Sequence, residues 1–403
     1  MRLLFITENY PPDRGGMAES CDRITRGLAP SSAIDGVRAG AAIDVVHFDR
    51  RSVAASHHPT GNGSLTRVPI DIDVPHSLNL LWNRLQQTLD LRATTHVVAF
   101  GGALPMLAAP VFAAWIERPL ITLLRGNELD VGIFDPRRRP LLDDALRRSA
   151  AVVTVTTSQA RKIAALYPDV KPEVIANGID FDLWQATDAD RARGAAWRAE
   201  RVQSSRRVLG LFGHLKSKKG VPFFVDSLRR SGLAERFHLL LIGEIDEQLQ
   251  SLLEAEMPAV DVLPAMDRFA LLPFYLACDL IVIPSHYDGF PNVLIEAMAL
   301  ARPLLASSVG GVEDVVTDGE EAFLFAPGDE NACRRAIARA ASSSDAELQR
   351  MGANAAAVIR ERCDAREETR LYLELFRTTQ EVFDAQSSAL RSDPAPRQLW
   401  RAR

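Results

Sequence analysis

The chain has 403 residues, 47% hydrophobic and 25% charged, the balance of an ordinary soluble protein long enough for two or three domains with buried cores. Its net charge is −5, and residues 1–184 carry 20 basic and 20 acidic groups, so neither half is basic enough to argue for a nucleic-acid partner. The four cysteines, Cys21, Cys278, Cys333 and Cys363, share no ligand-like spacing and are expected to be free thiols of a reducing, cytoplasmic compartment rather than a zinc site.

Short apolar runs alternate with amphipathic segments from the start. Strands are predicted over 3–7, 43–47, 96–100, 120–124, 152–156 and 173–176, and strand and helix in turn imply a parallel sheet covered on both faces. The first run is too short to be the apolar region of a signal peptide. Residues 97–116 contain no charge and are long enough to cross a bilayer, but Gly101-Gly102, Pro105 and Pro110 interrupt them, so a strand, a turn and a buried helix are predicted. Sheets of this kind bind ligands at the carboxyl ends of their strands. The first such loop ends in Gly15-Gly16, where missing side chains let backbone come close to a ligand.

Leu78, Leu80, Leu81, Trp82, Leu85 and Leu89 form an apolar face beside Arg84. A helix packed on the first sheet is the favoured reading and a weak contact with a membrane surface the alternative. Arg125 follows the strand at 120, where pairing with an acid and contact with a substrate are equally open. Residues 177–180 precede a polar, Ala/Arg-rich segment over 186–205, and a domain boundary is expected there.

The second half begins again with a strand over 208–212, followed by Gly213-His214-Leu215-Lys216-Ser217-Lys218-Lys219-Gly220. The chain holds five lysines and three of them fall within four residues here, compact charges that suit a phosphate. Strands over 239–242, ending at Gly243, over 260–263, leading to Met266, and over 279–283 follow. After the last of these, Asp288-Gly289-Phe290-Pro291-Asn292-Val293 reads as a loop handing over to a helix, with Pro291 at the first helical position. Free amides and the positive end of a helix dipole suit a phosphate. Asp288 in the loop and Glu296 inside the helix can face one ligand from two sides. No G-x-G-x-x-G follows a strand and no Gly-Lys occurs, so neither a dinucleotide fold nor a P-loop is supported. Asp71 with Asp73, or Asp188 with Asp190, is the less favoured reading of a metal-binding pair.

An acid, seven residues and a glutamate on a Gly-Phe-Pro-Asn-Val frame resemble the signature of the retaining glycosyltransferases of family 4, the group 1 type with the GT-B fold. The segment 213–220 is similar to that family's Gly-Arg-Leu-x-x-x-Lys-Gly; Lys219 keeps the lysine, His214 replaces the arginine, and Asp288 stands where the family usually has Glu. The resemblance implies an α/β protein with two Rossmann-like parallel-sheet domains facing a cleft. Residues 1–184 would form an acceptor domain and 185–365 a donor-nucleotide domain, with a helix over 366–385 packing back on the first and a disordered tail over 386–403. The implied reaction moves a sugar from a nucleoside diphosphate sugar, UDP rather than GDP, to a hydroxyl of a glycan, lipid-linked or small-molecule acceptor, with retention and without a metal or other cofactor. Lys219 and His214 would clamp the donor diphosphate, Gly16 beside Gly15 would face it across the cleft, and Asp288 and Glu296 would hold the donor. Gly213, Gly243, the backbone at Met266, and Gly289, Phe290, Pro291, Asn292 and Val293 would shape its pocket. Arg125 stands where a histidine beside the reacting sugar is common. Because His214, Arg125 and Asp288 all depart from the family pattern near the ligand, a catalytically silent sugar-nucleotide binder is the alternative.

Overall fold

A computed structural model describes residues 1–13, 15–29, 40–70, 73–126, 128–215 and 219–392. The first half contains β1 (Arg2–Thr7), α1 (Gly16–Gly27), β2 (Ala42–Asp49), β3 (Ser56–Thr60), β4 (Gly63–Pro69), α2 (Val74–Thr88), β5 (His96–Phe100), α3 (Ala103–Trp115), β6 (Leu120–Leu124), α4 (Glu128–Gly132), α5 (Arg139–Arg148), β7 (Ala151–Thr154), α6 (Thr157–Leu166) and β8 (Pro172–Val174). They build one sheet in the order β3-β4-β2-β1-β5-β6-β7-β8, parallel except for the β3–β4 hairpin. Alternate residues of β1 serve opposite faces: Leu3 and Phe5 enter one core, Leu4 and Ile6 the other. The second half contains α7 (Asp188–Arg201), β9 (Arg207–His214), α8 (Val221–Arg230), β10 (Phe237–Glu244), α9 (Glu247–Glu256), β11 (Val260–Leu263), α10 (Arg268–Ala277), β12 (Leu280–Ile283), α11 (Asn292–Ala299), β13 (Leu304–Ser307), α12 (Gly311–Val315), β14 (Ala322–Phe325), α13 (Glu330–Ser342), α14 (Asp345–Arg362) and α15 (Ala365–Ser392). Its sheet runs β11-β10-β9-β12-β13-β14, parallel throughout, and β9 again divides Val208 and Phe212 from Leu209 and Leu211.

Both sheets change winding direction once, between β1 and β5 in the first and between β9 and β12 in the second. Loops leaving the carboxyl ends of neighbouring strands diverge at such a point and open a crevice. The chain passes between the domains twice, and the passages are stitched together: Ile179 N donates to Cys363 O (2.7 Å) and Ala365 N to Ile179 O (3.1 Å). Helix α15 then returns to the first domain, where Tyr372, Leu373, Leu375 and Phe376 join the core beneath β1 and α1. It continues to Ser392, past the predicted end at 385 and into the stretch expected to be a disordered tail.

The charge-free stretch 97–116 is strand β5, a Gly-Gly turn and the buried helix α3, and among the described residues no helix is long and apolar enough to cross a membrane. The apolar face of α2 packs on the first sheet through Leu81 and Leu85, with Leu78, Trp82 and Leu89 partly covered, and leaves Leu80 outside. Asp190 is occupied in a capping box with Thr187 at the start of α7; Asp71 lies outside the described residues.

Candidate active site

A cleft of about 1790 Å³ lies between the two domains, lined by the loops after β1, β6, β9 and β12 and by the starts of α1 and α11. The loops after β9 and β12 bring Lys219 and Asp288 together at the switch point of the second sheet. Lys219 Nζ donates to Asp288 Oδ2, while Gly289 N donates to Asp288 Oδ1 (3.0 Å). Both side chains remain partly open to the cleft, at 30% and 16% exposure, so the pair is reachable by a ligand. Backbone close to backbone holds the two loops in place. Gly220, with φ 68°, lies against Pro284, where a β-carbon would sit 1.9 Å from the carbonyl oxygen. Gly310, with φ 48°, lies under the Asp288 carbonyl in the same way, and Gly311 N donates to Gly289 O (2.6 Å).

Helix α11 begins at Asn292, with Pro291 as its cap residue rather than its first residue. Phe290 is buried against Gly311, so the cap is anchored by an aromatic ring packed on a bare backbone. One turn into the helix, Glu296 accepts from Tyr275 Oη (2.6 Å), and Asn292, four residues before it, shares its face. Burial raises the Glu296 carboxyl from its ordinary 4.5 to about 7; the Tyr275 hydrogen bond pulls it down, the charge of Glu19 pushes it up and Arg23 pulls it down again. Tyr275, fully buried, is itself raised well above 10, by burial first and then by Glu296.

The first domain approaches this helix start closely. Gly16 faces Asn292, and a β-carbon there would lie 3.2 Å from Asn292 Nδ2; one on Gly289 would lie 3.4 Å from the backbone of Gly126. Asn292 Nδ2 donates to Glu19 Oε2 (3.4 Å), Asn177 Nδ2 to Phe290 O (3.0 Å), and Thr157 N to Asp314 Oδ2 (2.8 Å). On the first domain's wall, Glu128 accepts from Gly126 N (2.7 Å), and burial raises its carboxyl.

The model of the family described as "Glycosyl transferases group 1" matches residues 206–343, which contain the whole Lys219–Asp288–Glu296 arrangement. Over that stretch the chain resembles the group 1 glycosyltransferases. The lipopolysaccharide core biosynthesis mannosyltransferase LpsB of Rhizobium meliloti is 28% identical over 217 residues, covering 45% of this chain and 58% of that protein. The alpha-maltose-1-phosphate synthase of Mycolicibacterium smegmatis is 28% identical over 375 residues, covering 87% and 91%. The chain thus spans about half the length of the first of these relatives and nearly all of the second. Among solved structures, sucrose-phosphate synthase from Thermosynechococcus elongatus superposes with a TM-score of 0.77 at 18% identity, covering 95% of this chain and 99% of that one. Anabaena Alr3699/HepE in complex with UDP and glucose superposes with 0.73 at 18%, covering 94% and 100%. The shared architecture is the GT-B fold, two parallel-sheet α/β domains about a cleft.

Lys219, Asp288, Glu296, Arg125, Gly15, Gly16, Gly213, Met266, Phe290, Pro291, Asn292 and Val293 all line the cleft. Gly243 and Gly289 stand behind the lining. Gly243, with φ 148°, crosses so close to Gly213 that a β-carbon would lie 1.8 Å from its carbonyl oxygen. His214 ends β9, but its side chain, like Lys216, Ser217 and Lys218, lies outside the described residues. Arg125 lines the cleft, but its guanidinium is buried and bound to Glu368, the acid-paired alternative of the two readings left open. Sequence reasoning missed Glu19, Arg23, Tyr275, Glu368 and Tyr372, and took Asn177 for part of a linker only. A polar residue four positions from a glycine pair is a weak sign for Glu19; the others carry no local signal, since their partners are distant in the chain.

Proposed function

We propose that the chain moves a sugar from a nucleoside diphosphate sugar, UDP rather than GDP, to a hydroxyl acceptor with retention at the anomeric carbon. The observation that carries this reading is the Lys219–Asp288 pair on the two loops of a switch point, open to a cleft that Glu296 also lines. A cation for phosphate and two carboxylates for hydroxyls suit a ligand that has both. The UDP and UDP-glucose complexes of HepE, a fold neighbour, are in keeping with such a donor. In the proposed step the bond from the anomeric carbon to the diphosphate oxygen breaks, and the acceptor oxygen bonds to the same face of that carbon. Its proton passes to the departing diphosphate oxygen. Lys219 would stabilise the charge on that phosphate, and the closed cleft would align the two substrates and exclude water. No protein nucleophile is assigned, and transfer is proposed to need no metal. The four cysteines are free and buried, which supports a cytoplasmic setting.

One observation favours a second reading, a silent nucleotide-sugar binder: the residue at the position of the family's histidine, Arg125, spends its guanidinium on Glu368 and Asn177. A thermal-shift screen of nucleoside diphosphate sugars, followed by a nucleotide-release assay with sugars, glycans and lipid-linked acceptors, separates the two. Ligand at ~100 times its Kd should add about 2.7 kcal/mol to stability. Release of nucleotide with a glycosylated product establishes transfer, binding without turnover establishes the second reading, and no shift with any donor refutes both.

A further inference from the structure

We infer that Arg125 is a positioning residue for the Phe290–Asn292 loop, acting through Asn177, and that it thereby couples this loop to α15; that the loop holds a donor rests on the function proposed above. Arg125 follows β6 in the first domain, yet its side chain is only 1% exposed. Nη1 donates to Tyr372 Oη (2.6 Å) and Ile175 O (3.4 Å); Nη2 donates to Glu368 Oε1 (3.1 Å) and to Asn177 Oδ1. Tyr372 and Glu368 belong to α15, so one guanidinium joins the returning helix to the first interdomain passage.

The consequence falls on the second domain. A primary amide has an accepting end and a donating end, and a cation on the oxygen decides which way it faces. With Oδ1 held by Arg125, and also by Arg23 Nη2 (3.5 Å) and Ser20 Oγ (3.4 Å), the Asn177 amide group must point at the loop. There Nδ2 donates to Phe290 O (3.0 Å) and Asn292 Oδ1 (3.4 Å). Phe290 and Asn292 flank Pro291, the cap of α11, and so fix where the amides of that helix start emerge. Glu368, although burial alone would raise it, is held below its ordinary value by the charge and hydrogen bond of Arg23 and by Arg125, so the anchor stays ionised.

Amide hydrogen exchange on the whole unliganded protein tests the relay without a ligand. Arg125→Lys keeps the charge beside Glu368 but cannot serve Glu368, Tyr372 and Asn177 at once. Asn177→Asp keeps the shape and loses the donor to Phe290. Both variants should exchange the amides of 286–293 about tenfold faster, the scale of one hydrogen bond, and the double variant should be no faster than Asn177→Asp alone. With UDP as the probe, isothermal titration should show a Kd about tenfold weaker in each. Faster exchange confined to 365–376, with 286–293 and the UDP affinity unchanged, would overturn the inference and leave Arg125 as a helix anchor only. Should Arg125→Lys fail to fold, Tyr372→Phe removes a single contact of the guanidinium. Faster exchange in 286–293 would then support the relay, and none would refute it. A wild type that binds no nucleotide but shows this pattern would refute the donor reading while supporting the positioning role.

Discussion

Glu296 is the carboxylate most displaced toward neutral conditions by this site, and Glu296→Gln isolates the consequence. Its carboxyl titrates at about 7 in the folded protein against an ordinary 4.5, so the folded state holds a proton that the unfolded chain has already released. The stabilising effect of that proton is fully present below pH ~4.5 and is lost as pH rises through 7. At ~1.36 kcal/mol per unit, a wild-type penalty of about 3.4 kcal/mol is complete by pH 8, of which about 0.8 is already present at pH 5. Because the side chain is partly reachable from the cleft, solvent screening reduces this, and about 2.5 kcal/mol between pH 5 and 8 is an upper bound. Glutamine accepts from Tyr275 as the protonated carboxyl does and has no charge to bury. Relative to wild type, the variant should therefore gain stability between pH 5 and 8, by several degrees in Tm for a domain of this size. Calorimetric melts of both proteins across that range provide the measurement. Parallel Tm profiles would refute the raised pKa, and a variant that loses stability relative to wild type as pH rises would refute its sign.

Lys219→Ala should lower kcat by on the order of 10² or more, as loss of a preorganised charge at a leaving group does; activity within about threefold of wild type would remove Lys219 from the reaction. Gly220→Ala should cost about 2 kcal/mol or more of stability, because φ 68° and the Pro284 carbonyl both oppose a β-carbon; an unchanged melt would show that the loop relaxes freely. If His214 shares the phosphate clamp, donor affinity should fall as pH rises through the imidazole pKa, and His214→Arg and His214→Ala should both flatten that part of the profile; identical profiles from about pH 5.5 to 8.5 would release His214 from the site.

Much of the fold is legible because its strands are contiguous apolar runs, each with its signal inside a few residues. The β3–β4 hairpin is not, since Ser56-His57-His58-Pro59-Thr60 is a polar, largely exposed edge with a proline in it. The site divides the same way. Lys219, Asp288 and Asn292 stand in loops directly after strands or at a helix start, where position alone suggests a ligand. Tyr275 sits in an apolar helix and looks like core until Glu296, 21 residues away, is seen beside it. Arg125 admits two readings from sequence, and the partner that decides between them, Glu368, lies 243 residues farther along.

The two acidic groups of the loop after β12 and of α11 differ in what a ligand would change. Asp288 is already compensated by Lys219 in a partly exposed pair, and exposed pairs contribute little. A ligand that gave Lys219 a phosphate and Asp288 a hydroxyl would leave neither group without a partner, so exchanging the ion pair for the ligand costs little. Glu296 is raised to about 7 by burial and then by the neighbouring acid Glu19 of the other domain, against the opposing pull of its neutral partner Tyr275 and of Arg23, so it holds its proton near neutral pH. A ligand hydroxyl donating to it would favour the ionised form, and proton release would then accompany binding. Titrating UDP-glucose into wild type and Glu296→Gln in two buffers of different ionisation enthalpy at pH 6.5 reads this directly. Wild type should release a fraction of a proton that the variant does not, opposite in sign to any uptake by His214, which both proteins share. Equal proton counts would mean that the bound donor leaves Glu296 on Tyr275.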